Sequence, residues 1–409
     1  IYIQNGTLNM YDNTTLCNNL NNIVKKVTTS GVTNYYTAYG SAIHCSNGVI
    51  NMYGGEIKGN QLDNNAKVTI PEKYQSNYNF DVYGAGIFIN NFSVFNMYGG
   101  KIINNSEENH SFVQSKSTYS FNLSSGNISQ NCYGSGIYAS NATINLLGGE
   151  ISNNTINNYS KITFTSSTVE NMKTSAKNLK LHAIAAGIYT NDSKVNIKNN
   201  FLFNNNNSTT SVNINLGKDT VFNAVQYYCS GMQGWFTSSD IKIDGMIAKN
   251  SYFTDNSVLN NDGAKIGSEG TSKPTDSRNG GGFYFNACNY DINNITIDNC
   301  KANSGGALVL ASGKGKINNS TFSNNTALKN GGGIYLSNEN GTIISNSKII
   351  NNSANIGGGI YINNTNSNIE LDNIEISGNK ATTSSGGGIY AYGTLNINGN
   401  KTKITDNEA

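Results

Sequence analysis

GGGIYLSNENGTIISNSKIINNSANIGGGIYINN (331–364) holds one full period of this chain, 26 residues from Gly331 to Gly357, and the start of the next. Three glycines open each copy. In IYL and IYI, Ile334 and Leu336, then Ile360 and Ile362, fall on one side, and Tyr335 and Tyr361 on the other. That alternation is the period of a strand with one buried face. A second alternating element, TIISNSKII, runs into Asn351 and Asn352, which are turn-forming residues. One such unit cannot bury its apolar side alone, whereas copies stacked about 4.8 Å apart can. The glycine run marks a corner where the chain turns sharply or another backbone comes close. The predicted fold is therefore all-β, a right-handed parallel β-helix or solenoid of at least ten coils. Helix is excluded as a main element: no segment sustains a 3.6-residue period, and Gly, Asn and β-branched residues form helix poorly.

Outward from this stretch the same opener recurs as GGGFYF (280–285), GGALVL (305–310) and GGGIYA (386–391). Looser copies are YGSAIH (39–44), YGAGIF (83–88), YGSGIY (133–138) and AAGIYT (185–190), with CSGMQG (229–234) a doubtful one. The third opener residue recurs every 25, 26, 26 and 29 residues after Gly282, and every 44, 50, 51, 44 and 51 residues from Ala42 to Gly282. The chain thus divides into 1–279, coils carrying long insertions, and 280–409, regular coils, as one continuous solenoid. The insertions are read two ways: as loops protruding from one flank, or as second coils without the glycine signature. Asn325, Asn352 and Asn379 take matching places and are expected to stack as an amide ladder.

GGAL (305–308) and FSNN (322–325) resemble the repeats of the chlamydial polymorphic membrane proteins. NMYGGEIKGN (51–60) resembles the MxGGxIxxN repeats of β-helix surface proteins of gut bacteria, and similar repeats occur in adhesin-like proteins of methanogenic archaea. The resemblance covers most of the chain from 39 to 409. It implies the β-helix fold and an extracellular, cell-surface, adhesive role.

Composition narrows the function. Net charge is +2, 13% of residues are charged, and Arg278 is the single arginine, so a nucleic-acid partner is not expected. No apolar run is long enough for a membrane span. Cys17, Cys45, Cys132, Cys229, Cys288 and Cys300 have neither CxxC nor zinc spacing, and the aspartates form no calcium repeat, so no metal or other cofactor is expected.

Two sets of residues are candidates for a ligand surface. Asp240, Lys242 and Asp244 in SSDIKIDG lie on one face of a strand by alternation, with Trp235, the sole tryptophan, just before them. This could be a carboxylate site beside an aromatic sugar platform, or an ordinary wet strand face. Tyr138, Tyr189, Tyr284, Tyr335, Tyr361 and Tyr390 share one outward place in the opener, with Phe88 as a variant. Stacked coils would align them as a ladder, either structural or a strip for glycans or another shaft.

The expected function is a non-catalytic surface adhesin or structural shaft that binds cell-surface glycans or proteins through the flank of insertions. The alternatives are a self-assembling filament or surface-layer element and, less favoured, a polysaccharide-active enzyme. The start, IYIQNGTLNMY, matches residues that follow a glycine triplet, and the end, TKITDNEA, matches residues that precede one. This phase suggests a segment of a longer solenoid, or a unit that associates end to end.

Overall fold

The computed structural model describes residues 1–22, 25–29, 33–70, 77–115, 128–164, 178–216, 221–222, 224–255, 258–261, 265–266 and 275–409. The chain is a parallel β-helix. Eleven opener strands, from Tyr2–Gln4 to Ile389–Ala391, pair in sequence order to form one parallel sheet, so there are eleven coils. Each opener leads into a broad sheet of nineteen strands, to which most coils contribute two short strands or one long bent strand. A return sheet then brings the chain back to the next opener. Among the described residues one pairing is antiparallel, Lys25–Thr29 with Thr33–Tyr39.

The interior follows the alternation. Ile334, Leu336, Ile360 and Ile362 are fully buried, each over its counterpart one coil away. Ile389 and Ala391 belong to coil 11, which stacks on one neighbour, and are correspondingly more open. The glycine triplet has steric causes. Gly331 sits at φ +63, and a Cβ on Gly333 would lie 2.7 Å from the carbonyl of Gly359 in the next coil. CSGMQG is a true opener, because Gly234–Thr237 pairs with its neighbours on both sides. Gly234 stands where other coils place Ile, and the ring of Phe283 fills the space.

The second spine is asparagine. Asn325, Asn352 and Asn379 form the expected ladder: each donates from Nδ2 and from backbone N–H to the Oδ1 of the next, at 2.9–3.0 Å, ending on Asn407. Asn60, Asn105, Asn154 and Asn206 form the same ladder in the wide coils. The residue before each is left-handed, as at Asn104, Asn153, Asn324 and Asn351, which explains the repeated Asn-Asn pair. At Asn206 the next rung offers Ser251 instead, and Gln233 fills the gap: Asn206 donates to its Oε1 at 2.6 Å.

Among the described residues, the insertions contribute paired strands and not extra coils. Their strands pair with the matching strands of neighbouring insertions, as Ser106–Ser115 pairs with Gln61–Asn64 and with Thr155–Phe164. Each insertion therefore widens its own coil. Together these strands form an outward sheet of eight strands, ending at Val258–Asn261, which packs face to face with the return sheet as a flange. From Gly280 onward the outward sheet is gone and the return strands shrink, to Ser353–Ala354 and Lys380–Ala381 in coils 9 and 10.

The flange has its own interior. Ala38, Leu62, Val82, Cys132, Ile156 and Ala183 pack at its base. Further out the seam is polar. Asn64, Asn109 and Asn158 reach across it to the carbonyls of Tyr36, Phe80 and Gln130 at 2.9–3.2 Å. Glu107 is fully buried in the column between Leu62 and Ile156, and accepts from the N–H of Gly84 at 2.7 Å.

Candidate functional site

The opener tyrosines align as expected. Register places Tyr2, His44, Phe88, Tyr138, Tyr189, Trp235, Tyr284, Val309, Tyr335, Tyr361 and Tyr390 in one outward column. Tyr138 stacks on Phe88 and Tyr189 at 5.2 Å, and Tyr361 on Tyr335 and Tyr390 at 5.4 and 5.0 Å. The near-parallel planes leave no room for a ring between them. Val309 breaks the column between Tyr284 and Tyr335.

The column has two environments. In the wide coils a second stack, Tyr39, Tyr83 and Tyr133, runs down the end of the return sheet and packs against it, with Tyr83 4.8 Å from Tyr138 and Tyr133 4.9 Å from Tyr189. Burial pushes the Tyr138 phenol up to about 12 and holds Tyr189 above its ordinary range. Tyr133 also meets Nδ1 of His182 at 3.3 Å, and burial, with Lys180 nearby, lowers that imidazole to about 4. In the narrow coils no second stack covers Tyr335, Tyr361 and Tyr390, which stay half-buried.

Trp235 belongs to this column and not to the aspartates. It stacks on Tyr284 at 3.9 Å, packs with Ile184 and Ala185, and is only 7% exposed. It is closed to solvent by protein, so it gives Asp240 no open aromatic platform. The one-residue-per-place opener pattern already carried this signal, since Trp235 follows Gly234 as Tyr284 follows Phe283.

Asp240, Lys242 and Asp244 do share the outer face of the broad sheet, all exposed. Stacking gives them neighbours that were not apparent before. One column reads Lys194, Asp240, Asn289, Lys314, and the next Asn196, Lys242, Asp291, Lys316. These residues, with Ile241, Tyr290, Gly315 and Gly341, line an open groove of about 600 Å³. Asp244 lies outside it and accepts from Asn294. Asp240 accepts from Asn289, and Asp291 from Asn293, both at 3.1 Å. Among the described residues, none of the four lysines forms an ion pair.

The floor of the groove has its own cause. Gly315 carries no side chain above Tyr290, and a Cβ there would collide with the tyrosine ring. Tyr290 passes under this gap and reaches the coil beyond, where its hydroxyl meets Glu339 at 2.8 Å and Thr342 at 2.6 Å. Glu339 also accepts from Thr342 and from the N–H of Gly313. Burial raises the Glu339 carboxyl despite these donors.

A third aromatic stack escaped the sequence reading. Tyr11, Tyr53 and Tyr98, from the NMY segments, stack at 5.2 and 5.1 Å and are 59%, 46% and 47% exposed. Beside them Asn9, Asn51, Asn96, Asn145 and Asn196 form an outward amide ladder at 2.7–2.9 Å. The signal was the repeated Asn-Met-Tyr, whose Asn and Tyr are two apart and share a face.

Five cysteines are free thiols; Cys45, Cys132, Cys288 and Cys300 are buried and Cys17 is exposed. The side chains of Cys229 and Arg278 lie outside the described residues. Among the described residues no cluster of three metal-ligating side chains occurs, and no helix is long and apolar enough to cross a membrane. Comparison with protein-family models, with curated proteins and with solved structures finds no match.

Proposed function

We propose that the chain is a non-catalytic shaft of the cell surface, whose flange presents a lateral face for adhesion to glycans or proteins of a neighbouring surface. The observation that supports this reading is the order of the insertions. A tolerated insertion is usually an irregular surface loop. Here the insertions pair in register from coil to coil, as in the ten-residue match of Thr155–Phe164 with Asn207–Leu216. They do so although the seam buries polar groups such as Glu107 and Gln130. Polar burial of that kind is costly without full pairing, and a broad, ordered flank is what it produces. A rod of eleven coils also gives length, about 48 Å at one strand spacing per coil.

The test is attachment. Replacing 116–127 and 165–177, which lie outside the described residues, by short turns keeps the flange strands that flank them in sequence. Particles coated with this variant should lose attachment to intact cells while circular dichroism stays unchanged. Undiminished attachment would remove the flank from the reading.

One observation favours a second reading, a glycan hydrolase. Asp240 and Asp244 are four residues apart on a strand, about 13 Å, too far for an acid–base pair. Asp240 and Asp291, however, are diagonal neighbours on adjacent coils, about 7–8 Å apart, within the range of inverting pairs. Both are exposed and hydrogen-bonded to asparagine amides, whereas a general acid is usually kept protonated by burial or a like charge. Turnover of any polysaccharide that disappears in Asp240→Asn would replace the shaft reading with this one.

A further inference from the structure

We infer that the groove on the broad sheet of coils 5–8 binds an acidic polysaccharide, one bearing carboxylate or sulfate groups. This rests on the adhesive reading and names a ligand class for a face other than the flange. Four exposed ammonium groups, on Lys194, Lys242, Lys314 and Lys316, border one open groove and have no carboxylate partner there. Two carboxylates, on Asp240 and Asp291, sit among them, each fixed by an asparagine amide. The balance of the lining is two positive charges in excess, on a chain whose total is +2. An anionic ligand gains from that excess.

The rest of the lining selects among anions. Asp240 and Asp291 are acceptors, and they match a ligand that carries hydroxyl donors between its charges. A sugar chain does so. A deoxyribonucleic acid strand does not, and it would bring phosphates against both carboxylates without an arginine fork to hold them. Between the lysine rows the floor is the strand backbone at Ile241, Tyr290 and Gly315, since the Ile241 and Tyr290 side chains face the core; the apolar surface of the groove comes from the lysine stems that flank it. A pyranose ring has an apolar face to set against those stems, and Gly315 and Gly341 leave room for it. The charges repeat at the coil spacing of about 4.8 Å, so a linear polymer laid along the rod meets a lysine on three of the four coils it crosses.

The experiment measures binding of the full chain to polygalacturonate, dextran sulfate, neutral dextran, poly-glutamate and single-stranded DNA by calorimetry at low and at 0.5 M salt. Binding to polygalacturonate or dextran sulfate, weakened by salt, with none to dextran, is expected; which of the two binds distinguishes carboxylate from sulfate. The double variant Lys314→Glu/Lys316→Glu should weaken it roughly tenfold or more. The variant Lys301→Glu/Lys329→Glu makes the same charge change on return strands and should bind as the parent does. Circular dichroism and melting temperature establish that both variants fold. Failure to bind either acidic glycan, equal binding to poly-glutamate or DNA, or equal loss in the two variants would overturn the groove assignment. Cell attachment that survives in Lys314→Glu/Lys316→Glu would leave the shaft reading standing, so the two fail separately.

Discussion

In coils 7–10 the chain closes a turn in 25–29 residues; in coils 2–6 it takes 44–51, and the added residues supply the flange. The inner spine hardly notices. Asn105 and Asn352 donate to the next ladder oxygen at 3.0 and 3.0 Å, and Ile137 and Ile334 are equally buried in the opener sheet. The difference lies in what each region buries besides. The narrow coils add little to an apolar core. The wide coils add a second interior in which Leu62 and Ile156 alternate with Glu107, and amides reach to carbonyls across the seam. Periodic apolar stacking thus sets the fold, while the flange is carried by it.

Six substitutions would break or sharpen this contrast. Ile360→Asp should have the largest effect. It sets an unpaired charge in the narrow core, where little else holds the coil, and should cost about 4 kcal/mol or more. Because each coil leans mainly on its neighbours, hydrogen exchange should open coils 9–11 and leave the flange protected; exchange rising throughout would argue for one cooperative unit. Asn352→Ala comes next. It strands the N–H and Nδ2 of Asn325 in the interior and should cost about 2–4 kcal/mol. Asn105→Ala should cost the same if the spine is common to both regions, and Asn51→Ala in the outward ladder under about 0.5 kcal/mol. A clear difference between positions 105 and 352 in chemical denaturation would show that the flange shares the load.

Glu107→Gln tests the second interior through pH. Burial raises the Glu107 carboxyl well above its ordinary range, against the pull of the Gly84, Tyr133 and Ala85 backbone donors. A group raised on folding favours the folded state below its unfolded value, about 4.3, and loses that stability as pH rises toward the folded value. The Cys132 thiol and the Tyr138 phenol feel the charge of Glu107, and Cys132 also feels Asp81, which is itself lifted to about 6 by burial. Glutamine keeps an acceptor for Gly84 and removes the charge. Its melting temperature should match the parent at pH 4 and exceed it at pH 8, by the equivalent of about 1–3 kcal/mol. A variant that melts lower at both would mean the carboxylate is held ionised and useful. A modest effect is expected from Tyr361→Ala, which removes two stacked contacts in the uncovered part of the column, about 0.5–2 kcal/mol.

Much of the fold was legible because its determinants repeat. Gly331, Ile334, Tyr335 and Asn352 recur at fixed offsets, and each offset has one steric or hydrogen-bonding meaning. The insertions were not legible, because they lack the glycine signature and their pairing depends on strands about 50 residues apart. The groove was half legible. Alternation placed Asp240 and Lys242 on one face, but Lys194, Asp291, Lys314 and Lys316 join them only through the register between coils of unequal length. Trp235 was read with the residues that follow it along the chain, although its place in the opener assigned it to the tyrosine column. The contact of Tyr290 with Glu339 had no pattern to announce it beyond Gly315, which breaks an apolar column.

That contact changes how the rod should yield under tension. In a stack where each coil touches only the next, pulling on the C-terminal end peels coils one at a time at similar force. Tyr290 of coil 7 skips coil 8 and is fastened to Glu339 and Thr342 of coil 9. Coil 9 therefore cannot peel without breaking a bond anchored two coils below. In an optical trap, unravelling from the C-terminus should run freely through coils 11 and 10 and then pause at coil 9 until the Tyr290 contact breaks. Tyr290→Phe should turn that pause into further small steps. The strap lies where the flanged coils end, so it would act as a stop that shields them from load.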